Sequence, residues 1–229
     1  ANAWRQGLLP ATILFDVPTQ FSPACDAWDT TSDSPCYAPK NYNNKFVGPI
    51  SMRNALAQSL NIPAVKTLYL AGLTNTLKFV NDMGLNTLND PDRYGLTLVL
   101  GGGEVRLKDM THAYGIFANG GIRATTRSIL RVEDTSGNIL EERETSEQRV
   151  LEENIAYMVS DVLSDNVART PLWGSWSLVN FGDRDVAIKS GSTNNLRDAW
   201  IMGYAPNIAI GLDDFAGTGL FTREYIVAT

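Results

Sequence analysis

Long apolar runs are missing from this chain. None approaches the roughly 18 residues that a helix needs to cross a bilayer, and no charged-then-apolar leader opens the sequence. If the protein is exported, its address and anchor are expected outside these residues. Basic charge is also in short supply. Lys and Arg number 19 against 25 Asp and Glu, for a net charge of −6, with no run of like charges. A phosphate-tracking surface would need a basic stripe, so nucleic acid is excluded as a partner. There is a single histidine, His112, and there are two cysteines. That is a poor ligand set for a metal, and it offers no His–Asp pair for a hydrolase triad. His112 sits among apolar neighbours on an expected helix and reads as structural. Glu141, Glu142 and Glu144 read as a solvated charged face. No cofactor is implied, and no internal repeat is present.

What is there is ordinary globular composition: 229 residues, 44% apolar and 19% charged. A chain of that size buries roughly 70–75% of its unfolded surface and needs no staple to do so. Cys25 and Cys36 flank the polar stretch CDAWDTTSDSPC. Their spacing fits a local disulfide closing a short loop, which suits an oxidising compartment. Two unpaired thiols in the same loop are the alternative.

ANAWRQGLLPATILFDV reads as the tail of a helix broken at Gly7, then an extended segment after Pro10. Residues 18–49 carry much Pro, Asn, Asp and Ser and little periodicity, and are expected to form a long irregular loop. Ser51 is a fitting N-cap for a helix whose face is Met52, Leu56 and Leu60. Pro63 suits the first turn of a second helix running to about Ala71, with Gly72 as its C-cap. The tripeptide Ser59-Leu60-Asn61 therefore falls at a junction between helices. A further helix is expected over 74–83, ending at Gly84. The glycines at 101–103 make a sharp loop. Val105, Leu107, Met110, Tyr114 and Phe117 then mark one helical face, which Asn119-Gly120-Gly121 ends. A hairpin over 127–141 turning at Ser136-Gly137 and a helix over 151–168 follow. The last third alternates. Strands are expected at 186–193, 197–204 and 207–212, turned at Asn194-Asn195 and Pro206-Asn207 into an antiparallel meander.

Two short motifs could carry chemistry. Lys189-Ser190-Gly191-Ser192-Thr193 places a cation beside a row of hydroxyls at a strand end, which suits a carboxylate, and Gly191 lets a ligand approach the backbone. Ser59 and Asn61, two apart at a helix junction, can both face a cleft, although Ser and Asn are also favoured at helix ends for local hydrogen bonds. Taken in order, about 130 residues apart, they match the second and third motifs of a serine–x–x–lysine, serine–x–asparagine, lysine–threonine–glycine set. Serine stands for threonine in the third.

With PATILFDVPTQF, SMRNALAQSLNIPAVK, LGGGEVRLKDMTHAYGIFANGG and KSGSTNNLRDAWIMGYAP, the chain resembles the transpeptidase domain of class A penicillin-binding proteins over about residues 5–211. The resemblance implies a mixed α+β fold, with an antiparallel sheet packed against helices plus a helical lobe. Residues 1–212 are expected to be a partial domain of this penicillin-binding and β-lactamase-like kind, and 213–229 a tail that does not align. It implies a peptidoglycan D,D-transpeptidase that uses no cofactor and no metal and lies outside the cytoplasm. Stem peptides would be its substrate and β-lactams its inhibitors, with a membrane anchor and a glycosyltransferase domain upstream.

Carried over by position, Ser59 would relay a proton, Asn61 would bond the substrate amide, and Lys189 would supply positive potential. Ser190, Gly191, Ser192 and Thr193 would hold the carboxylate and the peptide edge. The first motif is a departure. The residues three before the six lysines are Tyr37, Tyr42, Pro63, Asn75, Val105 and Val186, so no serine–x–x–lysine occurs. The family pattern puts it just upstream of Ala1. A non-catalytic peptidoglycan-binding module of the same fold is the competing reading, and a β-lactamase-like serine hydrolase a more distant one.

Overall fold

The chain enters as one short turn of helix, α1 (Asn2–Arg5), that buries Ala3 and Trp4 and stops before Gly7. Strand β1 (Ile13–Asp16) pairs antiparallel with β2 (Gly48–Ser51), from Ile13 opposite Ser51 to Asp16 opposite Gly48. Between them runs the expected irregular loop, crossed by the Cys25–Cys36 disulfide with Cα atoms 5.6 Å apart. Its last residues are strand, which their mixed composition does not announce. The computed structural model describes residues 1–33, 35–144, 146–182, 184–192 and 199–205.

Ser51 then caps α2 (Met52–Ala57), its hydroxyl accepting from the Asn54 N–H at 3.2 Å. Helix α3 (Asn61–Ala71) buries Ile62, Pro63, Val65, Leu68 and Ala71. Pro63 lies in its first turn, where a missing N–H costs nothing. Gly72, at φ 77°, ends α3 and starts α4 (Leu73–Asp82). Two short 3-10 turns, Pro91–Arg93 and Leu96–Leu100, lead to the glycine loop. Helix α5 (Leu107–Ala118) follows and buries Ala113, Ile116 and Ala118. His112 packs at its side, its ring nitrogen bonded to the Thr126 hydroxyl.

Strand β3 (Ile122–Ala124) pairs with β6 (Glu147–Arg149), and the exposed hairpin β4 (Arg131–Glu133) and β5 (Ile139–Glu142) projects between them. Gly121 sits where this pairing meets α5, at φ 91°, and a Cβ there would lie 2.1 Å from the Leu151 carbonyl oxygen. That oxygen belongs to backbone fixed by the Leu151 N–H bond to the Gly121 carbonyl at 3.1 Å. A Gly121→Ala variant is therefore expected to lose about 2–4 kcal/mol in denaturant unfolding, from the left-handed backbone and the overpacking together.

The helix expected over 151–168 is two helices, α6 (Glu153–Ser164) and α7 (Asn166–Trp173). Asp165 breaks them. It leaves helical geometry at ψ 92°, and its carboxylate caps the Ala168 N–H at 2.8 Å. Helix α6 buries Ile155, Ala156, Val159, Val162 and Leu163 on one face. That face meets α5 and the last strand pair, β7 (Ala187–Ser192) and β8 (Ala199–Tyr204), which run antiparallel from Ala187 opposite Tyr204 to Ser192 opposite Ala199. The third strand expected at 207–212, and the tail at 213–229, lie outside the described residues. The architecture is mixed α+β, with antiparallel strand pairs laid on a helical core.

Candidate active site

Helix α2 carries Ser59 into position. Arg53 on α2 donates from Nη1 to Asp165 Oδ2 at 2.7 Å and from Nη2 to Asp161, which ties α2 to the corner between α6 and α7. Helix α6 packs in turn against β7. The C-terminal end of α2 and the strand carrying Lys189 are thereby fixed to one support. Ser59, two residues past this end, takes φ 55°, one of two non-glycine residues with positive φ among the described residues. Such a backbone is sparsely populated and persists where the surroundings enforce it.

The two motifs meet here. Lys189 Nζ donates to Ser59 Oγ at 2.7 Å and to the Ser190 carbonyl at 2.7 Å, a contact spanning 130 residues of sequence in the first case. Burial without a counter-ion pushes the Lys189 ammonium down from its ordinary value to about 8. Ser59, Lys189, Ser190, Trp173 and Ile201 line one cavity with Arg169. Arg169 was invisible to sequence reasoning, because a lone arginine in a helical stretch has no signature. It is 5% exposed. Its Nη1 donates to the Val179 carbonyl at 3.4 Å, while Nε has no partner among the described residues. No carboxylate lines the cavity among the described residues, although the charge of Asp165 reaches Arg169. The wall is thus net positive around a space no larger than about one water.

Gly191 and Ser192 are exposed at the open end of β7, and a Cβ added at Gly191 would meet nothing within 4 Å. Thr193 lies outside the described residues. Asn61 makes no direct hydrogen bond to Lys189 or Ser192. Its side-chain amide donates instead to the Lys40 carbonyl at 2.6 Å, and its backbone N–H to Asn41 Oδ1 at 2.8 Å. A loop residue that carries no motif thus holds one of the two motif residues at positions 59–61. Among the described residues, no cluster of metal-ligand atoms lines this cavity. The group of ligand-type atoms recorded among the described residues is Cys25, Asp29 and Cys36, and its two sulfurs are bonded to each other.

Penicillin-binding protein 1A of Rickettsia bellii is 31% identical over 91% of this chain and 28% of its own length. Over these residues the chain is homologous to the penicillin-binding proteins. Of solved structures, penicillin-binding protein 1A from Haemophilus influenzae superposes with a TM-score of 0.72 at 23% identity, covering 89% of this chain and 34% of that one. Penicillin-binding protein A from M. tuberculosis, solved as an imipenem acyl-enzyme complex, gives 0.69 at 16%, covering 90% of this chain and 48% of that one. At those identities the structural likeness speaks for the penicillin-binding fold alone. The chain spans less than a third of the length of the curated relatives it matches. A family profile described as exopolysaccharide biosynthesis protein YbjH matches residues 186–229.

Proposed function

We propose that these residues are the substrate-binding wall of a serine-type D,D-transpeptidase domain that cross-links peptidoglycan outside the cytoplasm. The observation that carries the reading is the Lys189–Ser59 hydrogen bond at 2.7 Å, which joins two motifs that have no reason to meet in an unrelated fold. In the reaction, a serine oxygen bonds to the penultimate D-alanine carbonyl carbon and the terminal amide C–N bond breaks. The proton released by the serine ends on the leaving nitrogen of D-alanine, and an amine of a neighbouring stem peptide later takes the acyl group. Covalent capture divides one hard step into two easier ones.

Ser59 is suited to passing the proton, since Lys189 holds its hydroxyl in place. Lys189 and Arg169 give the positive potential that a terminal carboxylate needs. The main chain of β7 is suited to pairing with the substrate as an added strand, with Ser190, Ser192 and Thr193 at the carboxylate. The Ser192 N–H would serve as one oxyanion donor, a contribution commonly worth about 2.7–4 kcal/mol. Peptidoglycan stem peptides and β-lactams are the proposed ligands, and a membrane anchor and a glycosyltransferase domain the proposed upstream company. Among the described residues no helix is long and apolar enough to cross a membrane.

Labelled penicillin and intact-mass measurement test the reading. The 229 residues contain no serine three positions before a lysine, so the polypeptide 1–229 is expected to gain no covalent label. The full-length gene product is expected to gain one equivalent. A full-length protein that takes no label supports the non-catalytic module instead. A label on polypeptide 1–229 that disappears in Ser59→Ala would place the nucleophile at Ser59.

A further inference from the structure

Helix α3 opens at Asn61 without a cap of its own. The residue before it is Leu60, whose side chain has no acceptor. The first N–H groups of a helix have no intrahelical partner, and a buried one left unbonded is costly. Here the acceptor comes from 20 residues upstream. Asn61 N donates to Asn41 Oδ1 at 2.8 Å, while the neighbouring Lys40 carbonyl takes the Asn61 side-chain amide at 2.6 Å. Two consecutive loop residues therefore hold Asn61 by its backbone and by its side chain.

Asn41 is itself fixed from behind. It is 3% exposed, and Asp16 is 0% exposed. Asn41 Nδ2 donates to both Asp16 oxygens, at 3.0 and 2.9 Å, and to the Lys45 carbonyl at 2.8 Å. Asp16 Oδ2 also accepts from the Val47 N–H at 3.0 Å. Lys66, which donates to the Phe15 carbonyl at 2.7 Å, is the cation whose charge reaches Asp16. These partners leave the Asn41 amide one orientation, because a flip would turn its N–H groups toward the Asn61 N–H and its oxygen toward a carboxylate.

We propose that Asn41, locked by the buried Asp16 carboxylate, is a positioning residue that sets Asn61 to meet the acylamino group of the bound substrate. The inference rests on the transpeptidase reading. It explains why a loop with no periodicity keeps a fully buried carboxylate beside it, and why the Ser59–Asn61 turn can hold positive φ without a local cap. One Asn61 N–H is spent on Lys40, so the second N–H and Oδ1 remain for a ligand amide.

The test compares two β-lactams on the full-length protein well below its melting temperature: benzylpenicillin, which has an acylamino side chain, and 6-aminopenicillanic acid, which has none. In Asn41→Leu the second-order acylation constant for benzylpenicillin is expected to fall roughly 10–100-fold, by analogy with the loss of a second-shell partner that orients a metal ligand. For 6-aminopenicillanic acid it should change less than about 3-fold. Equal losses for both compounds, or a loss for neither, overturn the proposal, since a general structural defect does not distinguish them.

Should Asn41→Leu not fold, Asn41→Asp serves in its place. It keeps an acceptor for Asn61 N but sets a second carboxylate against Asp16. Its selective loss is expected to be small at acid pH, where the pair shares a proton, and to grow as pH rises. A loss that is flat with pH, or equal for the two compounds, overturns the proposal. If the parent protein is acylated by neither compound, the transpeptidase reading fails by itself. The positioning claim is then read from hydrogen exchange of the peptide containing Asn61, which is expected to quicken in the variant. Unchanged exchange overturns it.

Discussion

A Lys189→Met variant is expected to gain stability and lose acylation at once. The gain follows from the ammonium's surroundings. It sits half-buried in a cavity that also holds the Arg169 guanidinium and no carboxylate among the described residues, and burial lowers its pKa to about 8. An unfolded lysine titrates near 10.4. Below about pH 8 both states carry the proton, and the fold bears the full cost of a desolvated charge. Between about 8 and 10.4 the unfolded chain keeps a proton that the fold has shed, so stability rises with pH. Above that window both are neutral and the cost is gone.

Methionine of similar length removes the charge and keeps the volume. At pH 7 the variant is expected to be more stable by about 1–2 kcal/mol, discounted for partial exposure. That is a rise of roughly 2–8 °C in melting temperature for a chain of this size. The pH-dependent rise between about 8 and 10.4 should vanish with it. Acylation of the full-length protein by benzylpenicillin is expected to drop by at least about 100-fold, because the Ser59 hydroxyl loses its donor and the carboxylate its nearest cation. Lys189→Arg separates the two roles. Its charge persists at all accessible pH, so any remaining acylation should not fall above about pH 8, where the parent's Lys189 sheds its proton and its acylation is expected to fall. A Lys189→Met protein that melts lower than the parent, or that acylates at the parent rate, would contradict this account.

Why that lysine was readable from the sequence and its surroundings were not is a matter of range. Ser51 and Gly72 declare helix ends because capping is settled within three or four residues. The apolar runs opening Ala187–Ser192 and filling Ala199–Tyr204 read as strands from their composition, although their burial is graded along the strand and not alternating. Lys189 and Ser59 were legible through the resemblance, which carries long-range information that periodicity does not. Their neighbours depend on partners far along the chain. Arg169 lies in a helix whose start, at Asp165, a sequence reader could have found from an acidic N-cap followed by a second helical run. Strands β3 and β6 are three residues each and pair across a whole hairpin, too short for any period to show. Asn41 looks like one polar loop residue among many, although the exposed–buried alternation of Ile13–Asp16 puts Asp16 on the inner face. A carboxylate at an inward strand position was the available signal that the loop must supply donors.

That signal leads to the largest stability effect expected in the molecule. Asp16→Ala should destabilise the protein by about 3–5 kcal/mol. The carboxylate is 0% exposed and accepts three hydrogen bonds, two from Asn41 Nδ2 and one from Val47 N. Hydrogen bonds to charged groups contribute about 1.5–3 kcal/mol each, and deleting the acceptor leaves buried donors unsatisfied. The damage then passes along the loop. With Asp16 gone the Asn41 amide keeps only the Lys45 carbonyl as an acceptor, and the Asn61 N–H at the head of α3 is left with a looser cap.

Asp16→Asn tests whether charge or shape matters. It preserves volume but turns an N–H group toward Asn41 Nδ2, donor against donor, so a loss of about 2–3 kcal/mol is expected even though the site stays filled. Adding Asn41→Asp to Asp16→Asn exchanges donor and acceptor across the contact. The Asn61 N–H again meets an oxygen, while the Lys45 carbonyl now faces one. Part of the loss should therefore return, and the double variant should be more stable than the sum of the single changes predicts by about 1–2 kcal/mol, within the range of coupled neighbours. Urea unfolding of the four proteins at pH 7 gives that coupling directly. Strict additivity would mean that Asp16 and Asn41 act separately, and that the chain of contacts from β1 to Asn61 transmits nothing.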